Sequence, residues 1–568
     1  MVTGFTRGKI VGTLVGASVA FYLVNRGAEF GRARWAAGEK MSDALGQFPA
    51  DLLGDPLRLS DDSVNMLIAL GAGVLVLLMG LYAMGAKKNT RQGEEHGSAA
   101  WAGPREIKPY TTKERGARLQ LTATEALALD THKTRRNLNV AVVGASGTGK
   151  TRGYVLPNLG EVDGMSFACT DPKGEIYRLM REPLTEKGMK VRTLNLVDLR
   201  ESARFNPLVY FSETDPETSV AQLTECIIAN TSGKESRGDG FWERAERALL
   251  TALIAYVWAT KADVDGGPTL ADVVDLHKEM EGSESNPDEF TSEADLKMDA
   301  ARNIIAQWQA EPDADDDASV MKMLEFATRQ YRVYQQGPAE TRLAVVISLG
   351  VRLAPLDMHD VRALLSADDI ALDRIGAERT ALFLQIPDSH ATFRFLAAMF
   401  WQSLFEKNIY IADHSPGGSL PVPVHCFLDE FANIGKIPGF EILMATIRSR
   451  GISVSVIVQG LSQGKAIWKD DWDTIVGNCD SVLFLGSRDE TTNKWLSAQL
   501  GDETITMDEY SQTYGVSGSR TKSQRTLKRA LLSPDEIGRL SNDEAILLIR
   551  GLRPFRSRKA AIRTGVSS

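Results

Sequence analysis

Two apolar runs open the chain, and beyond them short apolar stretches alternate with amphipathic ones. Ile10 to Val24 holds 15 residues without a charge, and Met66 to Ala86 holds 21. The second run is long enough to cross a bilayer; the first needs its flanks. Arg7 and Lys9 precede the first run, as in a signal peptide. No clear small-x-small cleavage site follows before Asn25, so two spanning helices are expected. After Lys87 and Lys88 comes a polar linker, then strand patterns at Leu138–Val143, Ser166–Thr170 and Lys190–Asn195. From about Ser212 the period changes. Phe241 to Thr260 reads as one apolar-rich helix, and helical periodicity continues to about Ala367. Within it, the acidic, turn-rich stretch Glu279 to Asp317 is expected to be a solvated insertion. Strand patterns return at Thr380–Gln385, Val424–Leu428, Ser453–Gln459, Ser481–Leu485 and Ala545–Ile549. Ser511 to Arg529, rich in Ser, Thr, Arg and Lys, reads as an exposed loop, with a DNA contact the less favoured reading.

The chain has 568 residues, enough for roughly three domains. A hydrophobic share of 43% and a charged share of 24% fit folded domains rather than a disordered chain. Cys169, Cys226, Cys426 and Cys479 lie far apart, which excludes a Cys-x-x-Cys zinc or redox motif and suits a reducing compartment. His425 reads as a strand residue rather than a metal ligand. The net charge of −9 gives no global attraction to nucleic acid, so any DNA contact must be local.

Two motifs carry chemistry. Gly144-Ala145-Ser146-Gly147-Thr148-Gly149-Lys150-Thr151 fits the phosphate-binding loop at every fixed position, between a predicted strand and a predicted helix. Its glycines let main-chain N–H groups turn toward phosphate oxygens at a helix N-terminus. Lys150 is expected to reach the β- and γ-phosphates of ATP, and Thr151 the Mg²⁺. Downstream, the apolar run Val424 to Leu428 ends in Asp429-Glu430. Asp429 is expected at the metal, directly or through water, and Glu430 beside the attacking water; one acid cannot fill both places. The pattern therefore predicts an α/β P-loop ATPase core on a parallel sheet, interrupted by an all-α domain and preceded by a two-helix transmembrane anchor. The expected divisions are an anchor at 1–90 with an external loop at 25–64, nucleotide-binding parts at 91–211 and 369–568, and the all-α domain at 212–368. Lys and Arg counts around the spans do not fix orientation, but a site that uses ATP must face the cytoplasm.

Further stretches carry a resemblance: His96-Gly97-Ser98-Ala99-Ala100-Trp101-Ala102, Asp171-Pro172-Lys173-Gly174-Glu175, Phe205-Asn206-Pro207-Leu208, Leu428 to Pro438, Arg448-Ser449-Arg450-Gly451, Val458 to Gln463, and Leu531 to Glu536. Together with the phosphate loop, and in this order, they resemble the type IV secretion coupling proteins of the TraG family, over about residues 95 to 555. The resemblance implies a RecA-like nucleotide domain in an inner-membrane hexamer, acting on a relaxase–DNA complex at a type IV secretion channel. It also implies that Arg448 is an arginine finger reaching the γ-phosphate of a neighbouring subunit, with Arg450 the competing candidate. Gln459, at the end of an apolar strand, is expected to sense the γ-phosphate, and Lys173 and Glu175 to lie beside the site. Two departures stand out, the acidic insertion and a basic chain end (Arg553, Arg556, Arg558, Lys559, Arg563). The competing readings are a coupling protein for protein effectors only and an FtsK-type DNA translocase. The second calls for more spans, a long Pro/Gln-rich linker and a C-terminal winged helix, none of which the sequence suggests.

Overall fold

The computed structural model describes residues 7–39, 41–85, 93–231, 240–262, 264–280, 292–310, 318–388, 390–512 and 520–561. The chain divides into two compact units, Met1–Glu95 and His96–Ser568.

In the first unit, helices Arg7–Ala36 and Ser63–Gly85 pack along each other. Small residues permit the close approach: a Cβ at Gly73 would lie 3.4 Å from the Ala17 carbonyl oxygen, and one at Gly80 would overlap Thr13. Ile10–Ala36 and Ser63–Ala83 are long and apolar enough to cross a membrane. The stretch 25–64, expected to lie outside the membrane between the two spans, is largely helical: the first helix runs on to Ala36, and Met41–Gly54 forms another. The charges at which the first span was expected to end are partnered. Arg26 pairs with Glu29 at 3.3 Å and Asp51 at 2.9 Å, and Arg32 pairs with Asp62 at 2.5 Å. The helix has no reason to stop at them.

The second unit opens with a short antiparallel pair, β1 (Arg118–Gln120) and β2 (Ala126–Ala128). Then come β3 (Val140–Val143), β4 (Ser166–Asp171), β5 (Lys190–Asn195), β6 (Thr380–Gln385), β7 (Val424–Leu428), β8 (Ile452–Val458) and β9 (Ser481–Phe484). A hairpin of β10 (Asp502–Gln512) and β11 (Arg520–Ala530) follows, and β12 (Glu544–Ile549) and β13 (Phe555–Arg558) close the chain. The central sheet has the order β13-β12-β9-β3-β8-β7-β4-β6-β5, parallel from β9 to β5 and antiparallel at β12 and β13. β3, β4, β7, β8 and β9 are buried throughout, which is why they appear in the sequence as mostly apolar runs, interrupted by buried polar residues such as His425, Ser453 and Ser455. Alternate residues serve the two faces. Ala141, Val143, Val454 and Leu428 join one core, which extends into the helices between β5 and β6; Val140, Val142, Phe427 and Ile457 join the other.

Between β5 and β6 the longer elements are helices, among them Pro216–Thr231, Gly240–Lys261, Ala318–Gln335 and Ala339–Leu353. Part of the acidic stretch also belongs here. Glu293–Ala310 is a helix whose Ala294, Met298, Ala301 and Ile305 are buried in the core, so 293–310 is not a solvated insertion. Residues 281–291 and 311–317 lie outside the described residues. The expected loop at 511–529 is corrected as well: 520–530 pairs with 502–512 in register, Ile505 opposite Leu527. Residues 513–519 lie outside the described residues. The hairpin's base is held by the His96–Ala99 stretch. Ser98 bridges Glu503, and a Cβ at Gly97 would overlap the Asp502 carbonyl.

Candidate nucleotide site

Strand order explains the site. β8 lies between β3 and β7, and β4 follows β7. The carboxyl ends of these four adjacent parallel strands therefore carry the Gly144–Thr151 loop, Gln459, Asp429-Glu430 and Asp171 to one edge, where open α/β sheets hold ligands. There they line a cavity of about 610 Å³, together with Lys173, Glu175, Asp388 and Asn433.

The loop is shaped as a cradle. Gly147 and Gly149 adopt φ of +79° and +85°, a region that side chains rarely enter, and a Cβ on either would meet nothing within 4 Å. Main chain is thus open to whatever occupies the cavity. Gly144 N–H donates to the Val458 carbonyl at 3.0 Å and Ala145 N–H to the Gly486 carbonyl at 2.8 Å, which tie the loop to its neighbours. Thr151–Val155 forms a π-turn directly after Lys150, a local departure common at functional sites.

Five expected site residues meet here. Lys150 Nζ lies 3.3 Å from Glu430 Oε1, Gln459 Nε2 donates to Glu430 Oε2 at 3.0 Å, and Thr151 Oγ1 donates to Asp429 Oδ2 at 3.2 Å. Glu430 has φ +50°, an unfavourable backbone for a non-glycine residue. The turn is held by packing behind it: Phe431 stacks on Trp468 with ring centres 5.3 Å apart, and Phe440 closes on both. Local strain of about 1–3 kcal/mol persists only where surroundings impose it, and active sites collect such positions.

Burial, then the adjacent Glu430 charge, push the Asp429 carboxyl up to about 6, against the opposing pull of Lys150. A buried carboxylate short of positive charge, with a threonine hydroxyl beside it, fits Mg²⁺, which takes one or two protein oxygens and fills its remaining positions with phosphate and water. No cluster of three or more His, Cys, Asp or Glu side chains able to hold a metal occurs among the described residues. Any cation held here would need that shared coordination. Asp171 is also raised by burial and accepts from Tyr177 N–H at 2.8 Å.

Arg448 is not brought to this cavity. It precedes β8, at the amino end of the sheet, where it lines a separate cavity of about 410 Å³ and donates to the Thr131 carbonyl at 3.0 Å. Arg450 is committed elsewhere, in a two-pronged pair with Asp413 at 2.7 and 2.9 Å. His425 is a buried strand residue whose ring nitrogens meet Ser453 Oγ at 2.7 Å and Ser455 Oγ at 2.8 Å; burial lowers it to about 3. The four cysteines are free and buried. Asp388 carried no local signal beyond its place just past β6, and Asn433 lay within the Leu428–Pro438 run without a role of its own.

Fold and site together define a P-loop nucleotide-binding protein with a helical domain set into its sheet. The family described as type IV secretory system conjugative DNA transfer matches residues 101–562, and the chain belongs to that family. Protein VirD4 of Agrobacterium fabrum is 23% identical over 504 residues, 87% of this chain and 69% of the relative. The probable conjugal transfer protein TraG of Sinorhizobium fredii is 22% identical over 435 residues, 74% of this chain; the chain spans 61% of that relative's length, under two thirds. Among solved structures, the bacterial conjugative coupling protein TrwBdeltaN70 superposes with a TM-score of 0.55 at 16% identity, over 84% of this chain and 98% of that one. The plasmid coupling protein TrwB in complex with ADP and Mg²⁺ superposes with a TM-score of 0.54 at 15% identity, over 83% of this chain and 95% of that one. At these identities the likeness establishes the shared fold.

Proposed function

We propose that this chain is an ATPase of the bacterial inner membrane that recruits a relaxase–DNA complex and delivers it to a type IV secretion channel during conjugation. The carrying observation is the convergence of Lys150, Thr151, Asp429, Glu430 and Gln459 on one cavity at the carboxyl ends of adjacent strands. The family supports the conjugative role, and the ADP and Mg²⁺ held by TrwB support the same ligands here.

The division of labour follows from the geometry. Main-chain N–H groups of the loop that are not tied to neighbouring carbonyls, those of Gly147, Gly149 and Lys150 among them, bind the phosphates, and Lys150 exchanges Glu430 for the β- and γ-phosphate oxygens. Thr151 and Asp429 would hold Mg²⁺, which when bound neutralises phosphate charge and orients the chain of phosphates. Glu430 takes the proton of the attacking water, and Gln459, already bonded to that carboxylate, reports the γ-phosphate to β8. Arg448, at the opposite end of the sheet, suits a finger supplied to a neighbouring subunit of a hexamer. The two apolar helices would span the membrane, with both termini and the nucleotide domain in the cytoplasm and 25–64 periplasmic. The divisions 1–90, 91–211, 212–368 and 369–568 serve as anchor, split nucleotide domain and substrate-facing helical domain.

Deleting the gene should abolish plasmid transfer while nicking at the transfer origin and channel assembly continue. The parental gene should restore transfer, and a Lys150→Ala copy should not. Mating efficiency and nicking are measured in the same strain. Normal transfer in the deletion strain eliminates the conjugative reading; lost nicking places the protein at an earlier step than delivery.

A further inference from the structure

The phosphate loop has a contact that neither motif anticipates. Lys559, the residue after β13, donates from Nζ to the main-chain carbonyl of Thr148 at 2.8 Å, across 411 residues of sequence. We propose that Lys559 is a positioning residue for the phosphate cradle, fixing the Thr148–Gly149 peptide in its phosphate-binding orientation. The inference rests on the nucleotide site argued above and adds a residue to it.

The reasoning starts from peptide geometry. In a trans peptide the C=O and the following N–H point in opposite directions. A cation that holds the Thr148 carbonyl therefore aims the Gly149 N–H the other way. Nothing intrinsic to the loop secures that orientation. Gly149 has φ +85° and no Cβ, so it tolerates the peptide either way round. A flipped peptide would present a carbonyl oxygen to phosphate in place of an N–H. The local bonds of Thr148 act elsewhere: its N–H and its Oγ1 both donate to the Ala145 carbonyl, at 3.2 and 2.8 Å, and leave its own carbonyl to Lys559.

The lysine is well mounted for this work. Its N–H donates to the Asp543 carbonyl at 2.9 Å, and the carbonyl of Arg558 accepts from Ala123 N–H at 2.8 Å. Its Cβ and the Ala560 carbonyl would each lie 3.6 Å from a Cβ at Gly153, so the segment sits directly against the π-turn that follows the loop. The ammonium is half-buried, and a charged donor to a carbonyl in such surroundings is among the stronger hydrogen bonds a protein makes. An arginine could replace it; a methionine keeps the stem and loses the donor.

The test compares the parental full-length chain with Lys559→Met and Lys559→Arg. Dissociation constants for Mg·ADP are measured by calorimetry, and amide exchange across residues 147–150 is followed by mass spectrometry in nucleotide-free protein. Lys559→Met should weaken Mg·ADP by about tenfold, the scale of one charge-assisted bond. It should also speed exchange in the loop and raise KM for ATP far more than it lowers kcat. Lys559→Arg should recover most of the affinity. Equal affinity within twofold and unchanged exchange in the methionine variant would overturn the proposal, as would an arginine variant as weak as the methionine one. If the parental chain bound no nucleotide, the nucleotide reading itself would fall, while unchanged loop exchange would separately reject the pinning role.

Discussion

Glu430 faces two partners, and its replacement by glutamine separates the two duties of the site. Lys150 Nζ lies 3.3 Å from Glu430 Oε1, with side chains 8% and 19% exposed. At an effective dielectric constant near 20 the gross attraction at that distance is about 5 kcal/mol, most of it offset by the desolvation of both groups. A Glu430→Gln change removes this competitor for the lysine. Gln459 Nε2 can still donate to the replacement's carbonyl oxygen, which turns the new NH₂ toward Lys150 and disfavours the old contact. The backbone strain at φ +50° is the same for both residues, so it does not enter the difference. Nucleotide affinity should therefore hold or rise by up to about tenfold, the equivalent of about 1.4 kcal/mol. Turnover should fall about a hundred- to ten-thousandfold, the usual contribution of a positioned base. Stopped-flow binding of a fluorescent ATP analogue and steady-state phosphate release, run on one preparation, give both numbers. Turnover within about threefold of the parental rate refutes Glu430 as the base. An affinity loss of tenfold in a folded protein refutes the competition for Lys150.

Mixing Arg448→Ala with Lys150→Ala protein should restore part of the ATPase activity that each lacks alone, because each subunit would supply what its neighbour has lost; no rescue, with concentration-independent activity, removes the finger in trans. Reporter fusions at Ala50 should read as periplasmic and fusions at the C-terminus as cytoplasmic, and a cytoplasmic signal at Ala50 defeats the two-span topology. His425 should make the fold acid-sensitive. Burial lowers its folded-state value to about 3, below the unfolded ~6.5, so its neutral form stabilises above ~6.5 and that stability is lost as pH falls through the window between the two values. The loss from pH 7 to pH 5 is about 2 kcal/mol, measurable by urea unfolding, and His425→Gln should flatten that slope; an equal slope in both proteins contradicts the assignment.

Much of the nucleotide domain was legible because its signals are local. A strand buried on both faces is a mostly apolar run, and the phosphate loop and acid pair each lie within a dozen residues. Strand order is not local, and it alone explains why Gln459 reaches Glu430. The β10–β11 hairpin was missed because polar residues occupy both of its faces: Thr506 pairs with Thr526 on one, and Glu509 with Ser523 on the other. Glu293–Ala310 was hidden by its acidic, turn-rich flanks, although Ala294, Met298, Ala301 and Ile305 recur at helical spacing. Asn230 is an ordinary polar residue in sequence and Lys559 one of several basic residues near the chain end; each acquires its specific place only through contacts hundreds of residues away.

Asn230 gives the acid loop a route to the helical domain. It lies on helix Pro216–Thr231, and its side-chain amide closes a two-way pair with Lys436: Nδ2 donates to the Lys436 carbonyl at 2.8 Å, and Lys436 N–H donates to Oδ1 at 2.7 Å. Gly435 makes the approach possible. Its φ is +80°, and a Cβ there would fall 2.5 Å from Asn230 Oδ1 and 2.8 Å from the Arg394 carbonyl. The run from Leu428 to Pro438 is therefore one device with two ends. Asp429 and Glu430 face the nucleotide cavity, and Gly435 and Lys436, five residues past Glu430 and six, grip the helical domain. Phe431, fixed between Trp468 and Phe440, makes the segment between them stiff. A displacement of the acids on nucleotide binding or hydrolysis would be passed along this packed turn, because close-packed interiors transmit strain. It would pass to helix Pro216–Thr231, on the domain proposed to meet the substrate.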